Sequence, residues 1–142
     1  MDDRDRRPTR SHSRPGARRR RLERIEARMR TAERRISRGR LRAGIRDYQA
    51  ILAENPDDLR ILNRIGDLFV RAEEIDRGIA LFLRVAREYA AEGFTAKAIA
   101  IFRKILRVDP SRREARDGLA GLYQEVGLAF ETAEYRGRRA VG

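Results

Sequence analysis

The sequence predicts an all-α protein: a short right-handed solenoid of about seven antiparallel helices, preceded by a disordered basic tail. Apolar residues recur at intervals of three and four through most of the chain, as they do on the buried face of a helix. Glycine or proline interrupts this pattern repeatedly. No segment alternates polar and apolar residues over a useful length, so strands are not expected.

The N-terminal segment differs in composition from the rest of the chain. Residues 1–18 are rich in arginine, serine and proline, with Met1 and Ala17 as their only apolar residues. Such a segment buries too little apolar surface to offset the entropy lost on ordering. We therefore expect residues 1–18 to be a disordered Arg-rich tail, and residues 139–142 to be a short C-terminal tail after a repeat domain at 19–138.

Seven helices are predicted inside that domain. Their expected bounds are 19–38, 40–54, 58–72, 75–92, 95–108, 112–126 and 128–138. The first six contain large apolar residues at helical spacing, and the last is weaker. In order, examples are Leu22 and Ile25, Ile45 and Tyr48, Leu62 and Ile65, Ile79 and Phe82, Ile99 and Phe102, Leu119 and Tyr123, with Phe130 and Ala133 in the last helix.

Glycine and proline mark where these helices are expected to end. Gly39, Gly93 and Gly127 follow the first, fourth and sixth helices, because glycine readily adopts the left-handed conformation that closes a helix. Pro56 and Pro110 follow the second and fifth helices, because proline disfavours helical geometry in the residue before it. The chain is therefore expected to turn at each of these points.

Polar residues at the predicted starts are candidate caps. Asp57 or Asp58 can accept from free amides at the start of the third helix, and Thr95 is a plausible cap for the fifth. Ser111 and Glu114 have the spacing of a capping box for the sixth.

An internal repeat connects the helices. Leu62-x-x-Ile65-Gly66-x-x-Phe69 is followed by Gly78-x-x-x-Phe82, and Phe82 lies 34 residues after Tyr48. Partial copies of the same motifs occur at Gly44 and Tyr48 with Pro56, at Ala98 and Phe102 with Pro110, and at Leu119 and Ala120 with Tyr123. Small residues allow helix axes to approach closely, and the aromatic side chains fill the space between stacked hairpins.

These motifs resemble those of the tetratricopeptide repeat family over about residues 25–135. The resemblance implies stacked helical hairpins whose concave groove, lined by the first helix of each hairpin, binds a partner peptide or helix. The pattern departs from the family at both ends, where the first helix has Arg28, Thr31 and Arg35 in place of apolar or aromatic residues and the last lacks the expected aromatic. It also departs in the middle: Pro56 and Pro110 are 54 residues apart, where two whole repeats would give 68. The fourth helix is therefore expected to serve two repeats. A generic helical bundle with coincidental spacing is the alternative.

The resemblance implies that exposed positions on the helices lining this groove are the candidate binding residues. They are Arg60, Asn63, Asp67, Arg71, Arg84, Arg87, Asp117 and Gln124. Family members that clamp a C-terminal carboxylate place Lys and Asn one helical turn apart on these faces. Here Asn63 and Asp67 occupy such positions, so a chaperone-type clamp is not expected. An ordinary solvated helix face is the alternative for each residue.

The charge distribution suggests a second function. Residues 1–46 contain 18 arginines and 6 acidic residues, whereas residues 47–142 carry 16 basic and 16 acidic side chains. Such arginine density is suited to phosphates of nucleic acid or to an anionic surface. The candidates for an anionic partner are Arg18, Arg19, Arg20, Arg21, Arg24 and Arg28. A tail that only improves solubility is the alternative.

Composition argues against an enzyme. The chain has no cysteine and one histidine, His12, which lies in the Arg-rich tail. It has no phosphate-binding glycine loop, nucleophile elbow or metal-ligand spacing. We therefore expect no catalysis, cofactor or metal. No apolar run is long enough to span a membrane and no secretory signal is evident, which favours a cytoplasmic protein. Pairing into a homodimer is left open.

Overall fold

The computed structural model describes the backbone of residues 15–140 and the side chains of residues 15–128. The described residues form six helices and no strand, which confirms the all-α prediction. The helices are α1 (Pro15–Ser37), α2 (Leu41–Glu54), α3 (Leu59–Arg71), α4 (Ile75–Ala91), α5 (Thr95–Val108) and α6 (Arg113–Ala140).

Each helix packs against its neighbours in sequence, and α4 also touches α6. Their apolar stripes form two clusters of buried residues. The first joins α1, α2 and α3 through Ile25, Ala32, Ile36, Ile45, Tyr48, Ile51, Ile61, Ile65, Leu68 and Phe69. The second joins α4, α5 and α6 through Ile79, Phe82, Ala86, Ala98, Phe102, Ile105, Ala115 and Leu122.

The first two helix pairs pack through equivalent residues. Gly44 of α2 lies against the Ile36 side chain of α1, where a β-carbon would collide with Ile36 Cγ1. Gly78 of α4 lies against Val70 of α3, where a β-carbon would come within 2.7 Å of Val70 Cγ2. Gly78 follows Gly44 by 34 residues, and Val70 follows Ile36 by the same number. The small-residue contact is thus repeated at the period of the sequence motif.

Three turns share one backbone arrangement. Gly39, Glu73 and Gly93 have φ of 82°, 62° and 83°, and in each case the amide of the following residue bonds to the carbonyl five residues before it. These are the hydrogen bonds of a Schellman motif, which closes α1, α3 and α4. The predicted helix ends at Gly39 and Gly93 are confirmed. Glu73 occupies the same conformation without the steric freedom of glycine.

Two of the predicted caps are wrong and one is confirmed. The Asp58 carboxylate accepts from the amides of Arg60 and Ile61 at the start of α3, as expected. Thr95 is already inside α5, and no side chain caps that helix. The Ser111 hydroxyl donates to Asp109 instead of capping α6. The nearby Asp109 carboxylate accepts from both the Ser111 amide and hydroxyl, and this competes with a capping box.

The predicted break at Gly127 is also wrong, because α6 continues without interruption from Arg113 to Ala140. The separate helices expected at 112–126 and 128–138 are one helix. A glycine inside a helix costs only about 1 kcal/mol relative to alanine, and no proline follows Gly127 to stop the helix.

The observed start of α1 also differs from the expectation. Residues 15–18, assigned to the disordered tail, are helical, since Pro15 is tolerated in a first turn and Ala17 and Arg18 favour helix. The rest of the predicted tail, residues 1–14, lies outside the described residues. Of the predicted C-terminal tail, residues 139 and 140 belong to α6, and residues 141–142 lie outside the described part.

Candidate functional site

A groove of about 660 Å³ lies between α1 and α3, with α2 beneath it. We call it the α1–α3 groove. It is lined by Glu26, Met29, Arg30, Glu33, Arg34, Tyr48, Arg60 and Arg64. Its volume falls within the range of about 300–1,000 Å³ typical of ligand-binding clefts.

The base of the α1–α3 groove follows from the packing of α1 on α2. Ile25, Ala32 and Ile36 of α1 are buried in the first core cluster, which places half-buried Met29 and Glu33 at the border of that buried face. Tyr48 of α2 is only 1% exposed and reaches up to this border. The Met29 thioether, the Tyr48 ring and the Glu33 carboxylate therefore lie together at the base of the groove.

Glu33 is held at the centre of the α1–α3 groove by two residues. Arg64 Nε donates to Glu33 Oε1 at 2.7 Å, and Arg64 Nη2 donates to Oε2 at 2.8 Å. The Tyr48 hydroxyl donates to Oε1 at 2.6 Å. This bidentate pair joins α1 to α3, while the tyrosine joins both to α2. Glu33 therefore fixes the spacing of the two groove walls.

These contacts shift the ionisation of all three groups. The hydrogen bond from Arg64, with a smaller contribution from Tyr48, holds the pKa of Glu33 below its ordinary value. The bond to Glu33 raises the pKa of Arg64 further. Burial, reinforced by the bond to the Glu33 carboxylate, raises the pKa of Tyr48 to about 12. At neutral pH the cluster therefore holds one carboxylate, one guanidinium and one neutral phenol.

Other arginines of the groove lie at its rim. Arg30 and Arg34 are exposed on α1, and Arg60 on α3 has a side chain that is 59% exposed. Arg34 donates to the Thr31 hydroxyl at 3.1 Å, and Arg60 pairs loosely with Asp58 at 3.4 Å. Among the described side chains, no carboxylate forms an ion pair with Arg30 or Arg34.

A second cluster of the same kind lies one repeat further along. Asp67 and Phe82 follow Glu33 and Tyr48 by 34 residues each. Asp67 forms an ion pair with Lys104 of α5, whose ammonium lies 4.5 Å from the centre of the Phe82 ring. Lys104 also donates to Asn63 Oδ1 at 3.1 Å. Asn63 and Asp67, which the sequence suggested as binding residues, thus tie α3 to α5.

The remaining predicted groove residues lie outside the α1–α3 groove. Arg84 donates to the Pro56 carbonyl at 3.1 Å and so holds α4 to the turn before α3. Asp117 faces Arg113 on the exposed surface of α6, where Gln124 is exposed as well. Arg87 is exposed on α4.

Arg60 is therefore the only predicted candidate that lines the groove among the described residues. Arg71 is exposed on α3 and does not line the groove, although its charge makes a small contribution to lowering the pKa of Glu33.

The six N-terminal arginines separate into three groups by their contacts. Arg21 donates to the Glu54 carbonyl at 3.2 Å and to Asn55 Oδ1 at 2.8 Å, and Arg28 pairs with the Glu54 carboxylate at 2.6 Å. Arg21 thereby satisfies a backbone carbonyl at the end of α2, and both arginines fasten α2 to α1. Arg19 pairs with Glu23 on the surface. The others, Arg18, Arg20 and Arg24, are exposed on α1.

Met29, Arg30, Glu33, Arg34 and Arg64 were not among the candidates from the sequence. A signal for Glu33 was present, because Glu33 precedes the candidate residue Asp67 by the 34-residue period. The arginine-rich composition of α1 obscured this equivalence. Which of its charged residues face α3 depends on how the two helices pack.

Other kinds of site are not evident in the part of the chain that the structure describes. Within residues 15–128, no three acidic or histidine side chains are grouped so as to hold a metal ion. No described helix has the length and apolar character needed to cross a bilayer. In comparisons with known proteins, no family model and no curated protein matches the sequence.

Proposed function

We propose that this protein is a non-enzymatic interaction scaffold of the tetratricopeptide repeat type, which binds a partner peptide or helix in the α1–α3 groove. The observation that carries the proposal is the groove itself. Two helix pairs are held side by side by Glu33 and Arg64, and between them an apolar base is bordered by exposed arginines.

The structural equivalences support a repeat architecture. Contacts of Gly44 and Gly78, turns at Gly39 and Glu73, and aromatic side chains at Tyr48 and Phe82 all recur after 34 residues. Short turns between contacting helices favour antiparallel hairpins. In our proposal these hairpins stack into a short right-handed solenoid whose first helices, α1 and α3, face the partner.

The chemistry of the groove favours binding over catalysis. Glu33 accepts three hydrogen bonds and has a lowered pKa, which makes it a weak general base at neutral pH. Tyr48 has a raised pKa and its proton is committed to Glu33. The titratable groups of the cluster are therefore engaged in holding the helices together.

Site-specific photo-crosslinking in the source cells tests the proposal. A photoreactive amino acid replaces Arg30 in the α1–α3 groove, and in a matched control it replaces Gln124 on the exposed surface of α6. We expect a discrete protein adduct from position 30 and none from position 124. The absence of an adduct from position 30, or equal adducts from both positions, would contradict binding in this groove.

A second candidate function is contact with nucleic acid or an anionic surface through α1. The observation that favours it is the exposure of Arg18, Arg20 and Arg24, in contrast to Arg21 and Arg28, which fasten α2. We expect Arg20→Gln with Arg24→Gln to weaken binding to a generic duplex and to reduce its salt dependence, by a slope of roughly 0.9 per lost phosphate contact. An unchanged salt dependence would exclude this role for these arginines.

A further inference from the structure

We propose that the α1–α3 groove selects an acidic peptide segment, in which an apolar side chain is flanked by carboxylates. The apolar side chain packs on Met29 above Tyr48, and the carboxylates bind Arg30, Arg34 and Arg60. This inference rests on the proposed scaffold function and names the chemistry of its partner.

The charge balance of the groove carries the inference. Its lining contains four arginines and two glutamates. Arg64 and Glu33 neutralise each other through two hydrogen bonds. Against the three arginines that remain, the groove offers only Glu26, so the surface seen by a partner is positive. A segment with carboxylates complements this charge, and a basic segment is repelled by it.

The three rim arginines are available for a partner. Arg34 is engaged only with the neutral Thr31 hydroxyl, and the loose contact of Arg60 with Asp58 is exposed to solvent. Because exposed ion pairs contribute little to stability, Arg60 can exchange Asp58 for a carboxylate of the partner at little cost in free energy. The planar guanidinium also presents two parallel donors that match the two oxygens of a carboxylate.

The base of the groove is suited to an apolar side chain that lies between the carboxylates of the partner. Met29 is half-buried and carries no charge, and its flexible thioether adapts to side chains of different shape. The Tyr48 hydroxyl already donates to Glu33. The base therefore offers a partner mainly apolar contact, whereas the rim offers positive charge.

Three matched peptides test the selection by fluorescence anisotropy on the full chain. The first has Asp and Glu around a central Leu, the second has Asn and Gln at the same positions, and the third has Lys. We expect the acidic peptide to bind at least about tenfold more tightly than its amide counterpart, and the lysine peptide to bind least.

Charge-removing variants locate the interaction. We expect the affinity for the acidic peptide to fall by about threefold to tenfold in each of Arg30→Gln, Arg34→Gln and Arg60→Gln. The affinity for the amide peptide should change little. Arg87→Gln, which removes the same charge from the exposed surface of α4, is the matched control and should have no effect. Circular dichroism and thermal unfolding check that all four variants fold as the parent does.

The outcomes separate this inference from the function on which it rests. If the acidic and amide peptides bind equally and a bulky Met29→Trp substitution abolishes the binding of both, acid selection is wrong. The groove would then remain a binding site. If Arg87→Gln lowers the affinity for the acidic peptide as much as the groove variants do, the effect is one of overall charge, and acid selection by the groove is again wrong. If sedimentation shows a dimer that the groove variants dissociate, the occupant is a second copy of the chain and the inference is wrong. If no peptide binds and position 30 gives no adduct, both proposals fail.

Discussion

Gly118 of α6 lies directly against the aromatic ring of Phe102 on α5, where a β-carbon would come within 2.5 Å of Phe102 Cζ. The ring is nearly buried, so it has little room to move aside. Gly121, one turn further along the same helix, has no neighbouring atom within 4 Å of that position. Two glycines of one helix thus have opposite steric environments.

We expect opposite effects on stability from alanine at these positions. Gly118→Ala forces the two helices apart and should lower the free energy of unfolding by about 1–3 kcal/mol. Gly121→Ala should raise it by up to about 1 kcal/mol, because alanine favours helix over glycine. Urea unfolding followed by circular dichroism measures both. If Gly118→Ala left the free energy of unfolding unchanged, α5 and α6 would not approach each other this closely.

Phe82→Ala should be among the most destabilising single substitutions. The Phe82 ring is 1% exposed, fills the space above Gly66 and lies beneath the Lys104 ammonium. Its removal leaves a cavity between α3, α4 and α5, for which we expect a loss of about 3–5 kcal/mol in the free energy of unfolding. Phe94→Ala, at a ring that is 49% exposed, is the control and should cost far less. A loss below about 1 kcal/mol for Phe82→Ala would contradict this packing.

Replacing Glu73 with glycine should stabilise the protein. Glu73 has φ of 62°, a conformation that costs a residue with a β-carbon roughly 1 kcal/mol and costs glycine little. We expect thermal unfolding of Glu73→Gly at a higher temperature than that of the parent. Glu92→Gly is the control, because Glu92 has φ of −83° and gains nothing from glycine. Equal effects of the two substitutions would contradict the role of backbone conformation.

The Tyr48 phenol should make stability fall at alkaline pH. Its pKa is raised from 10.0 to about 12 in the folded protein, so above pH 10 the unfolded chain loses this proton while the folded chain retains it. The resulting stability is complete below pH 10 and is lost progressively as pH rises towards 12. We expect Tyr48→Phe to remove this component from unfolding curves measured across that range. Parallel pH dependences for parent and variant would refute the assignment.

Glu33 should have the opposite influence at acid pH. Because hydrogen bonds from Arg64 and Tyr48 lower its folded pKa below 4.5, the carboxylate stabilises the fold above that pH. This contribution is lost as pH falls through the folded pKa. The difference in unfolding free energy between the parent and Glu33→Gln is therefore expected to shrink on acidification. A difference that stays constant from neutral pH to pH below 4 would count against the ion pair.

Local rules explain why much of the fold was predictable. A stripe of apolar residues identifies a helix, and Gly39 and Gly93 end helices because glycine adopts positive φ without strain. Asp58 caps α3 through amides two and three residues away. Gly127 shows the limit of such rules, because its effect depends on neighbours that allow the helix to continue.

The sequence by itself determined the helical class and most helix ends, because each depends on residues close together in the chain. It also determined the 34-residue recurrence, because a repeat is found by comparing residue types along the chain and needs no knowledge of contacts. Only the tertiary structure decided that one groove is bordered by Arg30, Arg34 and Arg60. It also decided that Glu33 pairs with Arg64 and that Arg21 and Arg28 bind the end of α2. These partners are 26 to 34 residues apart. At such separations, contact depends on the rotation and crossing angle of packed helices, which the spacing of residues along one helix does not specify.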